Sequence, residues 1–186
     1  MAVLPLIFAT ESLVSATASF ESTQTIEVRA PPEAVWRSIV DMGSIDEPPA
    51  LPFRLGVAYP LHSEIVGEGV GAVRRGEFST GTAMERVTEW VPNRKLAFVV
   101  LEDVPGMREL SPYEHVHAPH VIGYFRTVEA SFELRPRPDG MTEIVEHTSH
   151  ELKLEPALYW LPMARYVVHL NNARVLAHIR HRAEGG

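Results

Sequence analysis

The chain has 186 residues, no cysteine, and 17 Lys+Arg against 24 Asp+Glu, for a formal charge of −7. With 45% hydrophobic and 22% charged residues it has the composition of one globular domain with a sizeable core, which excludes disordered and collagen-like classes. Absence of cysteine removes disulfides, thiolate nucleophiles and cysteine-bound zinc. The acidic excess argues against nucleic acid as a partner, and the basic residues are scattered, densest at Arg74-Arg75 and Arg180-His181-Arg182.

Residues 2–9, Ala-Val-Leu-Pro-Leu-Ile-Phe-Ala, are apolar but far short of the roughly 20 residues that span a bilayer. A secretory signal would want a basic start, whereas the first basic residue is Arg29; Ser15-Ala16-Thr17-Ala18 nevertheless supplies small residues of the cleavage type. We take residues 1–19 as an apolar segment that docks on the domain or enters its first strand. An export signal and the tail of a membrane segment are the alternatives.

Thr23–Ala30 alternates apolar and polar residues, the period of a half-buried strand. Pro31-Pro32-Glu33 then opens a helix, with Val35, Trp36, Ile39 and Val40 at helical spacing. Residues 43–60 hold four prolines and two glycines and read as a loop with room for one helical turn. Strands follow near 61–66, 69–78, 81–91 and 94–102, separated by Gly67-Glu68-Gly69, Ser79-Thr80-Gly81 and Pro92-Asn93-Arg94. A long connection, 103–120, leads to strands at 121–134 and 141–150 around Pro136–Gly140. From Pro156 to about Arg182 the chain reads as one long helix, with Leu161, Ala164, Val168, Asn171, Val175 and Ile179 on one stripe.

This order predicts an α+β fold. A curved antiparallel sheet of six to seven strands wraps around a long C-terminal helix, with one or two short helices after the first strand, all in a single domain over residues 20–186. Curvature leaves space beneath the helix, the natural place for a ligand.

Several phrases carry a family resemblance: Ile26-Glu27-Val28-Arg29-Ala30-Pro31-Pro32-Glu33-Ala34-Val35-Trp36, the Gly67–Gly71 turn, Glu85–Trp90 followed by Pro92 and Arg94-Lys95-Leu96, and the terminal helix at Asn172–Ile179. Over about residues 20–182 the chain resembles the START-like, helix-grip (SRPBCC) superfamily, and within it the bacterial polyketide cyclase/dehydrase-like proteins. The resemblance implies binding of sterols, lipids, polyketides or other hydrophobic small molecules, with catalysis in only some members; fold alone does not decide between them. Phe53–Pro60, Phe78–Gly81 and Ala118-Pro119-His120 look like a narrower subgroup whose members often carry the domain beside membrane segments.

Two histidine clusters stand out. Glu114-His115-Val116-His117-Ala118-Pro119-His120 could hold a divalent metal through His115, His117 and His120, but Pro119 bends the chain before the third imidazole. Partly exposed loop histidines, with His120 closing over a ligand, is the reading we take, and no metal or cofactor is expected. In Glu146-His147-Thr148-Ser149-His150-Glu151, alternation puts His147 and Ser149 on one face and Glu146, Thr148 and His150 on the other. A histidine there beside a carboxylate could act as an acid or base.

Arg74, Glu85, Tyr124 and Arg126 sit mid-strand, where most of them read as the wet face of the sheet; in a cavity-bearing fold a buried Arg–Glu pair among them would mark the polar end of a ligand site. Period-two alternation puts Tyr124, Arg126, Val128, Ala130, Phe132 and Leu134 on one face, taken as inward. Tyr159 and Trp160 are expected to seal the site, Met163 and Met84 to add apolar lining, and Asn171 to offer a hydrogen bond, with Asn172 in its place if the helix is rotated. The candidate ligand-binding residues are therefore Arg74, Glu85, His120, Tyr124, Arg126, Phe132, His147, Tyr159, Trp160 and Asn171.

No glycine-rich phosphate loop or Ser–His–Asp arrangement occurs. The function expected is binding of an apolar, lipid-like or polyketide-like small molecule. A cyclase- or dehydratase-type enzyme using a cavity His or Glu is the second reading, and a membrane-associated regulatory module the third. The expected location is the cytoplasm, with residues 2–9 as a point of membrane proximity.

Overall fold

The computed structural model describes residues 17–108 and 123–185. Strand β1 (Ala18–Val28) leads to helix α1 (Pro32–Val40), the short strand β2 (Gly43–Ser44) and the one-turn helix α2 (Leu51–Arg54). Then come β3 (Pro60–Val66), β4 (Val73–Phe78), β5 (Gly81–Val91), β6 (Lys95–Glu102), β7 (Phe125–Pro136), β8 (Thr142–Leu152) and the long helix α3 (Ala157–Gly185).

The strands form one antiparallel sheet in the order β1-β8-β7-β6-β5-β4-β3-β2. Eight strands replace the expected six to seven, because Gly43-Ser44 inside the proline-rich 43–60 stretch pairs with His62 and Ser63. The meander is otherwise the expected one, and the β1–β8 pairing joins the first and last strands with Phe20 opposite His150 and Gln24 opposite Glu146. Strand β4 starts at Val73 rather than 69. Gly67, Gly69 and Gly71 have φ of 92°, 81° and 93°, left-handed values that cannot continue a strand.

Helix α1 begins with Pro32 in its first turn and Glu33 against the helix dipole, and it buries Val35, Trp36 and Ile39. Helix α3 packs on β1, β8 and α1. Its stripe behaves as the spacing predicts: Val168 and Ile179 are buried and Leu161, Ala164, Asn171 and Val175 half-buried. A clasp on its flank holds the 43–60 stretch. The Arg174 guanidinium donates to the carbonyls of Ile45 (2.8 Å), Glu47 (2.7 and 3.0 Å) and Pro60 (2.5 Å) and lies 5.2 Å from the Tyr59 ring centre. Five donors in a planar fork suit three converging carbonyls, which a single ammonium would not.

The apolar interior falls into two clusters. The larger gathers α1, the C-terminal half of α3 and the sheet residues Val87, Leu96, Phe98, Phe132 and Ile144. The smaller, at the other end, comprises Phe20, Leu152 and Val168 with Phe125, Trp160, Leu161 and Ala164 against them. No helix of the described residues is long and apolar enough to cross a membrane.

Candidate functional site

Between the two apolar clusters runs a belt of polar side chains, and its origin is strand parity. Strand β8 buries Thr142, Ile144, Glu146, Thr148, His150 and Leu152, so apolar Ile144 and Leu152 bracket three polar residues on the face turned toward α3. His147 lies on the opposite face, where its Nδ1 is 3.1 Å from Thr23 Oγ1. That is a correction to its expected place: Glu146, Thr148 and His150 take the inward positions instead.

From the other side of the belt Arg74 and Glu85, opposite one another on β4 and β5, form a buried ion pair as the sequence suggests. The guanidinium lies over the Phe98 ring, 4.4 Å from its centre. Gly76 makes room for the pair, since a Cβ there would stand 3.2 Å from the Phe78 ring, 3.6 Å from Glu85 Oε1 and 3.8 Å from Arg74 Nη1. Burial pushes the Glu85 carboxyl up and Arg74 pulls it back.

Arg74 also acts on Glu146, but only at a distance. Burial raises the Glu146 carboxyl to about 8, and the Arg74 charge offsets only part of that rise. Glu146 is thus a neutral acid at pH 7, able to donate its proton. Among the described residues its buried Oε2 has no hydrogen-bond partner, and neither do the buried Ser63 Oγ and Asn171 Oδ1.

The remaining belt groups are engaged. Asn172 donates from Nδ2 to Thr148 Oγ1 at 3.1 Å, and Gln24 from Nε2 to the His169 carbonyl at 2.9 Å. His150 stands between two threonine hydroxyls, Nε2 2.8 Å from Thr148 Oγ1 and Nδ1 3.3 Å from Thr127 Oγ1. Its ring stacks on Phe20 (5.1 Å) and Phe125 (5.3 Å). Burial, with His147 adding to it, lowers its pKa to about 4, so the ring is neutral. A histidine titrating near 6.5 unfolded and near 4 folded favours the native state above pH 6.5 and loses that contribution as the pH falls toward 4. The buried Glu146 carboxyl acts with the opposite sign over the same range, so the expected result is a difference: between pH 7 and 4 wild type should lose melting temperature relative to His150→Gln, and an unchanged difference would place the acid sensitivity elsewhere.

Other expected residues land apart from the belt. A β-bulge between Thr127 and Glu129 inserts one residue into β7 and reverses its parity, so Ala130, Phe132 and Leu134 face inward as expected while Tyr124 and Arg126 do not. Thr127 takes the inward position instead. Phe132 is a core residue, its ring centre 6.5 Å from that of Phe98. Trp160 packs in the smaller cluster, whereas Tyr159 and Met163, each one position before an inward residue of α3 (Trp160 and Ala164), are exposed and seal nothing. Met84 pairs with Arg75 on the outer side of β5 and adds no lining. Asn172 reaches Thr148 of the belt, whereas Asn171 turns toward the 43–60 stretch, its Nδ2 3.4 Å from the Ala58 carbonyl. His115, His117, His120 and residues 2–9 lie outside the described residues. Among those described, no group of three or more His, Asp or Glu stands where it could hold a metal.

A groove of about 540 Å³ reaches the belt's edge at Phe20 and His150, passing Val128 of the bulge and Arg165 of α3. Grooves of about 510 Å³ beside Trp36 and Trp90, and of about 480 Å³ beside Arg94 and Arg135, do not border the belt.

The family model described as "Polyketide cyclase / dehydrase and lipid transport" matches residues 19–184. The chain belongs to this family. None of the curated proteins matches this polyketide cyclase/dehydrase family member in sequence. Its fold is similar to that of a protein from Thermus thermophilus (17% identity, 88% of this chain and 97% of that one, TM-score 0.56). It is similar as well to a truncated norcoclaurine synthase from Thalictrum flavum (17%, 89% and 94%, TM-score 0.53). A third is the Zhui aromatase/cyclase from Streptomyces sp. R1128 (17%, 90% and 93%, TM-score 0.51). At these identities the likeness is one of fold, and the polar belt must be read from this chain's own residues.

Proposed function

We propose that this family member holds an apolar small molecule between the sheet and α3, with the molecule's oxygen-bearing end on the polar belt. The observation that carries the reading is the buried Glu146 carboxyl, whose Oε2 has no partner among the described residues, on a strand where Ile144 of one apolar cluster and Leu152 of the other bracket it with Thr148 and His150; Ser63 Oγ and Asn171 Oδ1 are likewise buried without a described partner. Each such atom costs about 1–3 kcal/mol when left unsatisfied, a cost that a ligand hydroxyl or carbonyl would offset. The apolar clusters would take the hydrocarbon part by ordinary burial.

A cyclase- or dehydratase-type reading draws on the same Glu146. A carboxyl still protonated at neutral pH can hand its proton to a carbonyl or a departing hydroxyl. Arg74 is already engaged by Glu85, so Glu146 is the belt's available acid.

The reading is tested by titrating the full chain with Nile red, a neutral apolar dye bearing a carbonyl. Saturable binding at one equivalent is expected, weakened roughly tenfold in Asn171→Leu by loss of one ligand hydrogen bond. Unsaturable binding, or equal affinity in the variant, would refute it.

A further inference from the structure

The outer face of the first turns of α3 is apolar. Leu158, Tyr159, Met163 and Tyr166 are 91%, 64%, 50% and 57% exposed. With exposed Pro162 between them, they recur at one- and four-residue steps and so share a single arc of the helix. That arc is opposite the stripe of Leu161, Ala164 and Val168 that packs on Phe20 and Leu152. It carries no charged residue. Arg165 and His169 stand at its edge, and past His169 the outer face changes to Ala173, Ala177 and Arg180. The apolar surface is therefore local to the end of the domain where the smaller cluster lies.

Three observations identify what this surface fits. First, its residues are the interfacial kind: two tyrosines with an apolar body and a polar tip, a flexible methionine and a leucine, edged by cationic Arg165. Second, the patch is on the order of a few hundred Å², short of the ~800 Å² per partner of a stable dimer, so a second copy would not be held by it alone. Third, the chain enters the fold here. Ala18 pairs with Leu152 and packs with the cluster containing Trp160, Leu161 and Ala164, and the apolar residues 2–9 lie only nine residues before it in the sequence.

We propose that the first turns of α3 are a membrane-docking face, in which Leu158, Tyr159, Met163 and Tyr166 enter the headgroup–acyl boundary of a lipid bilayer, with Arg165, whose guanidinium lies 5.2 Å from the Phe20 ring centre, at its margin. Apolar insertion drives the docking, so it works on zwitterionic lipid and depends little on salt. This inference is independent of whether the polar belt binds a ligand.

The test is co-sedimentation of the full chain with phosphatidylcholine vesicles across a range of lipid concentrations. Wild type should bind, and Leu158→Ser with Met163→Ser should need roughly tenfold more lipid, as expected for two apolar side chains kept in water. Both side chains are exposed, so thermal melting of the variant should match wild type, and Tyr166→Ser alone should give an intermediate shift. Failure of wild type to bind, or equal binding by the double variant, would overturn the proposal. So would a self-association seen by sedimentation velocity that the double variant abolishes, which would assign the face to a second copy.

Discussion

Glu85→Ala should lower stability by about 3–5 kcal/mol, because it strips the partner from a guanidinium that the fold keeps buried. At about 2–4 °C per kcal/mol for a chain of this size, the melting temperature should fall on the order of 10 °C. Replacing both partners, Arg74→Met with Glu85→Leu, should restore most of that loss, since two apolar side chains packed beside Phe98 leave no uncompensated charge. The double variant separates structure from function. If the pair marks the polar end of a ligand site, the rescued protein should melt near wild type and still bind Nile red more weakly. Restored stability with unchanged binding would make the pair a structural element alone.

The second large effect belongs to Glu146. Unfolded, its carboxyl ionises at the ordinary value of 4.5; folded, burial holds the proton until about 8. Between those values the unfolded chain has lost a proton that the native state keeps, so stability falls as pH rises from 4.5 to 8 and stays reduced above it. The full penalty is on the order of 4–5 kcal/mol at about 1.36 kcal/mol per pH unit, an upper bound that any relaxation around the carboxylate would lower. Glu146→Gln keeps the shape without the ionisation. It should match wild type near pH 4 and melt higher than wild type at pH 8–9. Parallel melting curves across that range would show that Glu146 ionises freely in the fold. The same variant separates the two functional readings, since glutamine can bind a ligand oxygen but cannot transfer the acid's proton.

The sequence specifies the architecture more completely than the site, for identifiable reasons. Strand β5 falls at 81–91 as expected because Gly81 and Pro92-Asn93 delimit it, and α3 follows from a stripe that stays regular over many turns. The Arg74–Glu85 pair is half legible: two opposite charges at mid-strand positions suggest it, but composition alone reads them equally as the wet face, and only the pairing of β4 with β5 brings them together. Tyr124 and Arg126 are misplaced because alternation counts residues, and a bulge at 127–129 adds one that no local composition signals. Tyr159 is misplaced for a different reason. Its aromatic ring suggests a seal, but Val168 and Ile179 set the helix phase and turn it outward. Glu146 and His150 carry a readable signal after all: they share parity with Ile144 and Leu152, the apolar residues bracketing them. Asn172 meets the belt at Thr148 while Asn171 reaches the Ala58 carbonyl, so the rotation that brings Asn172 in is the one the helix adopts.

Native mass spectrometry of the protein, purified without organic extraction from the cells that make it, tests the ligand-holding belt most directly. A ligand seated on the belt predicts a single small-molecule adduct on wild type that is lost in Ser63→Ala with Asn171→Leu while the variant stays folded. A bare polypeptide mass for wild type, together with a belt variant that is more stable and otherwise unchanged, would contradict it.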